Sequence, residues 1–238
     1  MKWRELNLKI ALINGSPKIK DSASGYLLSE VKDFIKVNNQ DVSATLDEKL
    51  EMYEFEIRKP EIDEDELKKL YQCNILIFAF PLYVDSIPSH LLNILTILQN
   101  YYTTKGSSNA IVYVLVNCGF YEGIQNKIAL EIMQNWTYKS GLTWGQGIGI
   151  GSGGMLLSVK NIPAGRGPKK NLSIALERVL KQIQSNLTGL ESNSNELSEN
   201  LYINMNIPRF AYIQAAHFGW RMSAKEHGLK RRDLFKRM

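Results

Sequence analysis

Three short runs of apolar residues limit what this chain can fold into more than any other feature of its sequence. They read LKIALIN at 8–14, NILIFAFP at 74–81 and NAIVYVLVN at 109–117. None of them alternates polar with apolar residues, which is typical of parallel strands that are covered on both faces. All are far shorter than the ~20 apolar residues of a membrane-spanning helix. We therefore expect a buried parallel sheet.

Helical patterns separate these runs. Apolar residues or charges at helical spacing predict helices at 22–38, 62–70, 88–102, 123–141 and 169–187. Two weaker segments, DVSATL at 41–46 and TWGQGIGIGSGG at 143–154, are predicted to be the second and fifth strands. Such alternation predicts an α/β doubly wound sheet, in which ligands bind outside the carboxyl ends of the strands. The loops to examine are therefore 15–24, 81–88 and 117–123.

The length of the chain suits one large α/β domain, or one such domain with an appendage. Its 238 residues are 44% hydrophobic and 22% charged, as in an ordinary globular protein. We predict the domain at 1–188. Because the stretch at 185–200 is polar and poor in large apolar residues, residues 189–238 are predicted to be a linker and a C-terminal helical extension, which packs on the domain or on a dimer partner.

Charge and cysteine usage exclude several classes of protein. A net charge of +5 suits an anionic small ligand but is too modest to argue for nucleic acid. Cys73, Cys118 and the three histidines show no metal-ligand spacing, so no metal site is expected. The N-terminus lacks the apolar core of a signal peptide. We expect a cytoplasmic protein without a membrane partner.

The first loop carries the residues of an anion site. It joins a strand to the start of a helix, where unpaired N–H groups and the positive end of the helix dipole meet. Ser16, Ser22 and Ser24 can donate hydroxyl hydrogens, and Lys18 can supply positive charge. An ordinary helix cap with surface lysines is an equally good interpretation of the loop alone. The loop lacks Gly-Lys-Ser/Thr, which argues against a triphosphate site.

The other two loops present rings and small residues. Tyr83 stands between two prolines in PLYVDSIP, which suits a planar ligand, although a surface tyrosine is the commoner case. In NCGFYEG, Gly119 permits close backbone approach to a ring system. Cys118 is interpreted as a reduced, buried thiol rather than a nucleophile, because no histidine lies near it in sequence.

Taken in order, GSPK…SAS, PLYVDSIP and NCGF resemble the motifs of the flavodoxin-like NAD(P)H-dependent FMN reductase family. The resemblance covers about residues 8–185. It implies a flavodoxin-like three-layer α/β/α sandwich with a five-stranded parallel sheet of order 2-1-3-4-5, followed by the extra C-terminal helical segment. The chain departs from the family pattern at Ala23-Ser24, where Asn or Thr is common. It also lacks the cysteine cluster of iron–sulfur members.

The resemblance implies FMN as the cofactor, NAD(P)H as the co-substrate, and a homodimer. The residues implied to hold the FMN phosphate are Ser16, Lys18, Ser22, Ala23 and Ser24. Those implied to line the isoalloxazine are Pro81, Leu82, Tyr83, Val84, Asn117, Cys118, Gly119 and Phe120. No catalytic residue is assigned, because hydride transfer to a flavin needs no side-chain acid or base. Tyr83 and Phe120 are expected to shape the acceptor pocket.

The predicted function is an FMN-dependent oxidoreductase that passes hydride from NAD(P)H to a small acceptor, such as a quinone, a nitro or azo compound, or a flavin. The first alternative is a flavodoxin-type electron carrier without NAD(P)H turnover. It ranks second because carriers of that kind tend to be acidic and compact, whereas this chain is basic and has a long extension. The second alternative is a wound α/β protein that binds no flavin.

Two other motifs are set aside. GIGSGG at 149–154 fits the dinucleotide fingerprint G-x-G-x-x-G, but it lies late in the chain and does not open a helix after the first strand. We interpret it as a strand end with close backbone packing. The basic tail KEHGLKRRDLFKRM could touch nucleic acid or anionic lipid, but without interleaved aromatic residues it is better interpreted as a solvated helix end.

Overall fold

The computed structural model describes residues 8–40, 50–106, 108–188, 199–230 and 232–233. The chain forms two compact units, Met1–Met205 and Asn206–Met238. The first unit holds the sheet and all three loops singled out above.

Among the residues that the structure describes, six parallel strands form the sheet of the first unit. They are β1 Leu8–Asn14, β2 Leu50–Glu56, β3 Ile75–Pro81, β4 Ile111–Asn117, β5 Thr143–Ile150 and β6 Leu201–Ile203. Their order is β2-β1-β3-β4-β5-β6, and every neighbouring pair is parallel. The chain reverses its direction of travel across the sheet between β1 and β3. This switch point places the loops after β1 and β3 side by side.

In the described residues of the first unit, five α-helices cover the two faces of this sheet. They are α1 Ala23–Gln40, α2 Glu64–Tyr71, α3 Ser89–Lys105, α4 Lys127–Lys139 and α5 Lys170–Thr188. The core on one face is built from α2, α3 and α4, and includes Leu70, Leu91 and Leu130. On the other face α1 packs against β1, β3 and α5. The predicted three-layer α/β/α sandwich is therefore confirmed.

The predicted strand count was wrong by one. The order 2-1-3-4-5 holds, but β6 pairs with β5 outside it, so the sheet has six strands rather than five. β6 is only three residues long and follows a polar stretch. So short a segment has too few residues to show a pattern, and sequence analysis included it in the extension.

The second strand also differs from expectation. The segment DVSATL at 41–46, predicted to be this strand, lies outside the described residues. The strand that pairs with β1 is LEMYEFE, Leu50–Glu56, in a stretch that sequence analysis left unassigned. It lies at the edge of the sheet, where charged side chains are tolerated and discourage pairing with another chain. Its composition therefore hides it from a search for buried apolar runs.

The glycines of GIGSGG serve close backbone packing, as predicted. β5 ends at Ile150, and the next residues turn into a short 3₁₀ helix, Gly153–Met155. A Cβ atom on Gly151 would lie 2.1 Å from the carbonyl oxygen of Tyr121. One on Gly149 would lie 2.8 Å from the carbonyl oxygen of Gly123. Only residues without a side chain allow the loop after β4 to cross here.

The second unit contains α6, Arg209–Glu226, which begins after Pro208. Gly228 follows the helix with a φ of 73°, a conformation typical of a glycine helix stop. Throughout the described parts of the chain, no helix combines the length and apolarity needed to traverse a bilayer.

Candidate functional site

The loop between β1 and α1 is held tightly at its first residue. The N–H of Gly15 donates to the carbonyl oxygen of Ala79 on β3 at 2.8 Å. A Cβ atom on Gly15 would lie 2.6 Å from a methyl carbon of Leu91, so this position accepts only glycine without repacking. His90, which sequence analysis did not select, lies with its Nε2 3.2 Å from the carbonyl oxygen of Gly15. The loop therefore starts from a fixed backbone position.

Three serine hydroxyls around this loop each accept a hydrogen bond from a protein N–H group. Ser16 Oγ accepts from the N–H of Lys18 at 3.3 Å, and Ser24 Oγ accepts from Asn117 Nδ2 at 2.9 Å. Ser22 Oγ caps α1 by accepting from the N–H of Gly25 at 2.9 Å. A hydroxyl that accepts in this way keeps its own hydrogen to donate. All three predicted serines are buried and can still act as donors.

The start of α1 adds backbone donors and a favourable field. The N–H groups of Ala23 and Ser24 belong to the first helical turn, which has no intrahelical acceptors for them. No acidic residue occupies that turn, so the positive end of the helix dipole is not neutralised there. Lys18 is exposed on the loop. Together these groups could hold an anion with several oxygens, such as a phosphate.

Asn14, the last residue of β1, connects both ends of this loop and was missed by sequence analysis. Its Oδ1 accepts from the N–H of Ser16 at 3.1 Å, and its Nδ2 donates to Ser22 Oγ at 3.4 Å. Nδ2 also donates to Glu56 Oε2 at 3.0 Å. Asn14 is buried. The signal for it was its place as the single polar residue that ends an apolar strand directly before the loop.

Glu56, the last residue of the neighbouring strand β2, and Arg58, two residues after it, flank the loop. Arg58 donates to Glu56 Oε2 at 2.9 Å and to the carbonyl oxygen of Ile19 at 3.4 Å. The N–H of Ile57 between them donates to the carbonyl oxygen of Asn14 at 2.9 Å. No local pattern marks these two residues, because β2 and the residues after it lie in a charged stretch without a buried apolar run.

The second loop is a tight hairpin after β3. Tyr83 and Ser86 exchange two backbone hydrogen bonds of 3.0 Å. Val84 and Asp85 between them have φ of 48° and 56°, as in a type I′ turn. This conformation is unfavourable for a β-branched residue such as Val84, which is nevertheless 99% exposed. Tyr83 is 44% exposed, so the hairpin offers an uncovered ring and an aliphatic tip at the carboxyl edge of the sheet.

The third loop follows β4 and has a buried start and an exposed tip. Cys118 is buried, and its Sγ accepts from Asn126 Nδ2 at 3.4 Å. Burial raises the pKa of Cys118, which supports the interpretation of this thiol as non-nucleophilic. Gly119 and Phe120 form the exposed tip.

Asn117 brings the three loops together. Its Nδ2 donates to Ser24 on α1 and, at 3.1 Å, to the carbonyl oxygen of Phe80 on β3. Its own carbonyl oxygen accepts from the N–H of Leu82 at 2.8 Å. The predicted ring-lining residues Pro81 and Leu82 are half-buried beside this junction. Thus Asn117, predicted to line a ring, holds the first loop to β3 through its amide nitrogen and holds the second loop through its backbone carbonyl oxygen.

Comparisons with known proteins show where similar folds occur. No protein-family model matches the sequence, and no curated protein matches it. Among solved structures, an oxidoreductase from Corynebacterium diphtheriae superposes with a TM-score of 0.55 at 10% identity, over 78% of this chain and 100% of that one. An NADH:FMN oxidoreductase in its apo form superposes with a TM-score of 0.51 at 14% identity, over 86% of this chain and 98% of that one. At these identities the likeness concerns the fold.

Proposed function

We propose that this chain, which has a flavodoxin-like fold, is an FMN-dependent oxidoreductase that takes hydride from NAD(P)H and passes it to a small acceptor. The observation that carries the proposal is the set of buried serine hydroxyls at the start of α1. They retain donor hydrogens at the β1–β3 switch point, where a sheet of this order binds its ligand.

The proposed phosphate site consists of the first loop. Ser16, Ser22 and Ser24 donate their hydroxyl hydrogens to the phosphate oxygens, and the first-turn N–H of Ala23 adds a backbone donor. Lys18 lies on the exposed side of the loop and contributes charge rather than a fixed contact. Hydrogen bonds to a charged group contribute about 1.5–3 kcal/mol each, so this set is sufficient to anchor a mononucleotide.

The proposed ring site lies between the second and third loops. Bound FMN would supply the redox chemistry by accepting and donating hydride. The residues assigned to its isoalloxazine are Pro81, Leu82, Tyr83, Val84, Asn117, Cys118, Gly119 and Phe120. Of these, Asn117 holds the loops in place, while the exposed rings of Tyr83 and Phe120 shape the space for the nicotinamide and the acceptor and exclude water from it. No residue is assigned a proton transfer.

One of the solved structures with a similar fold is an NADH:FMN oxidoreductase, a name that indicates the use of NADH and FMN. It supports the proposal that this chain uses both. The proposal also includes a homodimer and a cytoplasmic location. Quinones, nitro or azo compounds and free flavin are the acceptor classes to assay.

Flavin absorbance under anaerobic conditions tests the proposal. The purified protein, or protein given FMN and then desalted, is expected to show the flavin band at about 450 nm, and NADH or NADPH should bleach it. An electron carrier would keep the band until a partner reductase is added. Protein that leaves desalting colourless would contradict the flavin site itself.

A further inference from the structure

Glu56 places a carboxylate beside a loop that we assign to a phosphate, and the structure shows what that carboxylate does. Both of its oxygens lie within hydrogen-bond distance of Asn14 Nδ2, at 3.3 and 3.0 Å. A carboxylate only accepts hydrogen bonds, so it selects the nitrogen side of the Asn14 amide. The Oδ1 side must then face the loop, where it accepts from the N–H of Ser16. Glu56 therefore determines which way the Asn14 amide points.

The orientation of Asn14 in turn determines the geometry of the whole loop. With Nδ2 pointing toward Glu56, the same nitrogen reaches Ser22 Oγ. Ser22 Oγ then accepts hydrogen bonds from both Asn14 and Gly25, and its own hydroxyl hydrogen stays available to donate to a ligand. A reversed amide would place Oδ1 against the carboxylate and leave the N–H of Ser16 unpaired. Glu56 thus acts on two predicted phosphate donors that it does not touch.

Arg58 completes the arrangement by offsetting the charge of Glu56. Its guanidinium lies 2.9 Å from Glu56 Oε2, which lowers the repulsion between this carboxylate and an anion bound nearby. It also donates to the carbonyl oxygen of Ile19, in the middle of the loop. The backbone of this segment is held by the hydrogen bond from Ile57 to Asn14. Arg58 therefore links the centre of the loop to the same carboxylate that orients its two ends.

We propose that Glu56 and Arg58 are positioning residues that hold loop 15–22 in its anion-binding form, and so determine how strongly the site prefers a phosphorylated flavin to an unphosphorylated one. This inference rests on the proposed function. A loop held in its binding conformation before the ligand arrives loses less conformational freedom on binding. The effect should be specific to the phosphate, because neither residue belongs to the loops assigned to the ring.

The test compares FMN with riboflavin, which has the same ring without the phosphate. Dissociation constants are measured by flavin fluorescence for wild type, Glu56→Ala, Glu56→Gln and Arg58→Ala. We expect Glu56→Ala and Arg58→Ala to weaken FMN binding about three- to tenfold, because both residues act by ordering the loop rather than by contacting the phosphate, and to leave riboflavin binding within about twofold. Glu56→Gln should restore much of the FMN affinity, because its amide oxygen can still accept from Asn14.

Glu51→Ala is the matched control. Glu51 lies on the same strand with similar exposure and also pairs with a cation, Lys9, but at the opposite end of β2. It should leave the affinities for both flavins unchanged. Melting temperatures of all variants show whether each remains folded.

Three results would overturn the inference. Equal losses for FMN and riboflavin would mean that Glu56 and Arg58 support the fold in general. A wild type that prefers FMN, together with variants that keep the same preference, would show that the loop does not depend on them. A wild type that binds neither flavin would overturn the proposed function itself, and this inference with it.

Discussion

The serine hydroxyls at the start of α1 show how a residue's role depends on what already bonds to it. Ser16, Ser22 and Ser24 are buried, yet their oxygens are used as acceptors. Burial normally requires every polar atom to find a partner. Three buried hydroxyls with hydrogens left to donate, on one loop, therefore favour an anionic ligand over a purely structural turn.

Removing two of these donors should weaken FMN binding strongly. In Ser16→Ala with Ser24→Ala, the loss of two hydrogen bonds to a charged phosphate should raise the FMN dissociation constant by about a hundredfold or more, measured by fluorescence titration. The control is Ser29→Ala, because Ser29 lies on the exposed side of α1 and donates to Tyr26 within the helix. An unchanged dissociation constant in the double variant would remove the phosphate site from this loop.

The two cysteines should be unreactive in the folded protein. Burial raises the pKa of Cys73 to about 12 and also raises that of Cys118. At pH 8, native protein should therefore react slowly with a disulfide reagent, while protein in urea should react rapidly at both sites. An unfolded thiol ionises near pH 9.0, so the contribution of Cys73 to stability should be complete below that pH and decline as the pH rises toward 12. Rapid labelling of Cys118 in native protein would restore it as a candidate nucleophile.

At the scale of elements, a buried ion pair fixes how α1 meets the start of α5. Lys169 is 2% exposed, and its Nζ lies 3.0 and 3.2 Å from the two carboxylate oxygens of Glu30. The same ammonium lies 5.4 Å from the ring centroid of Tyr26. Buried pairs of this kind contribute less to net stability than to selecting one arrangement. Here the arrangement sets the direction of the helix whose first turn belongs to the proposed anion site.

Replacing Glu30 and replacing Lys169 should lower the free energy of unfolding by different amounts. Glu30→Ala leaves the buried ammonium of Lys169 unpaired and should destabilise the protein by about 3 kcal/mol. Lys169→Met should cost less, because the Glu30 side chain is 23% exposed and water can reach it. Urea denaturation measures both, with Lys68→Met in the exposed Lys68–Glu64 pair as the control, which should change the free energy of unfolding little. Equal costs for the two partners would contradict this argument.

The crossing of the third loop over β5 depends on Gly151. Its replacement by Ala would drive a Cβ into the backbone of Tyr121 and Gly123, which no side-chain rotation can relieve. We expect a loss of about 1–3 kcal/mol in the free energy of unfolding. Gly119→Ala, with no atom within 4 Å of the added Cβ, is the matched control and should change stability by under about 0.5 kcal/mol. Equal stability of the two variants would show that the loop moves freely.

At the scale of the molecule, the sheet continues beyond the domain boundary that the sequence predicts. β6 contributes a backbone acceptor, since the carbonyl oxygen of Ile203 accepts from the N–H of Gly151 at 2.9 Å. Asn204 Oδ1 accepts from the N–H of Gly123 at 2.8 Å. Residues 201–205 therefore support the third loop of the proposed site from its outer side.

Two truncated chains test whether the first unit needs β6 for its stability and for FMN binding. A chain that ends at residue 205 retains β6 and the whole first compact unit, and should unfold cooperatively and bind FMN. A chain that ends at residue 188 loses β6 and leaves the edge of β5 and the third loop without these partners. It should melt at a lower temperature and bind FMN more weakly. Identical melting and binding for the two chains would mean that β6 has no supporting role.

Local patterns were enough to predict the architecture and much of the proposed site. The buried strands β1, β3 and β4 are recognisable because strands covered on both faces must be apolar throughout, and the rule that ligands lie at their carboxyl ends pointed to the loops that Asn117 joins. Whether each predicted side chain touches a cofactor remains a prediction.

The positions of β2 and β6 and the contacts of Asn14 depend on the tertiary structure. β2 lies at the sheet edge, where solvent permits charged residues and removes the apolar signal, and β6 is too short to show one. Asn14, Glu56 and Arg58 meet only because β1 and β2 pair in one particular register, which sets Asn14 beside Glu56. Contacts between residues 42 positions apart depend on that pairing, and no pattern within either segment encodes it.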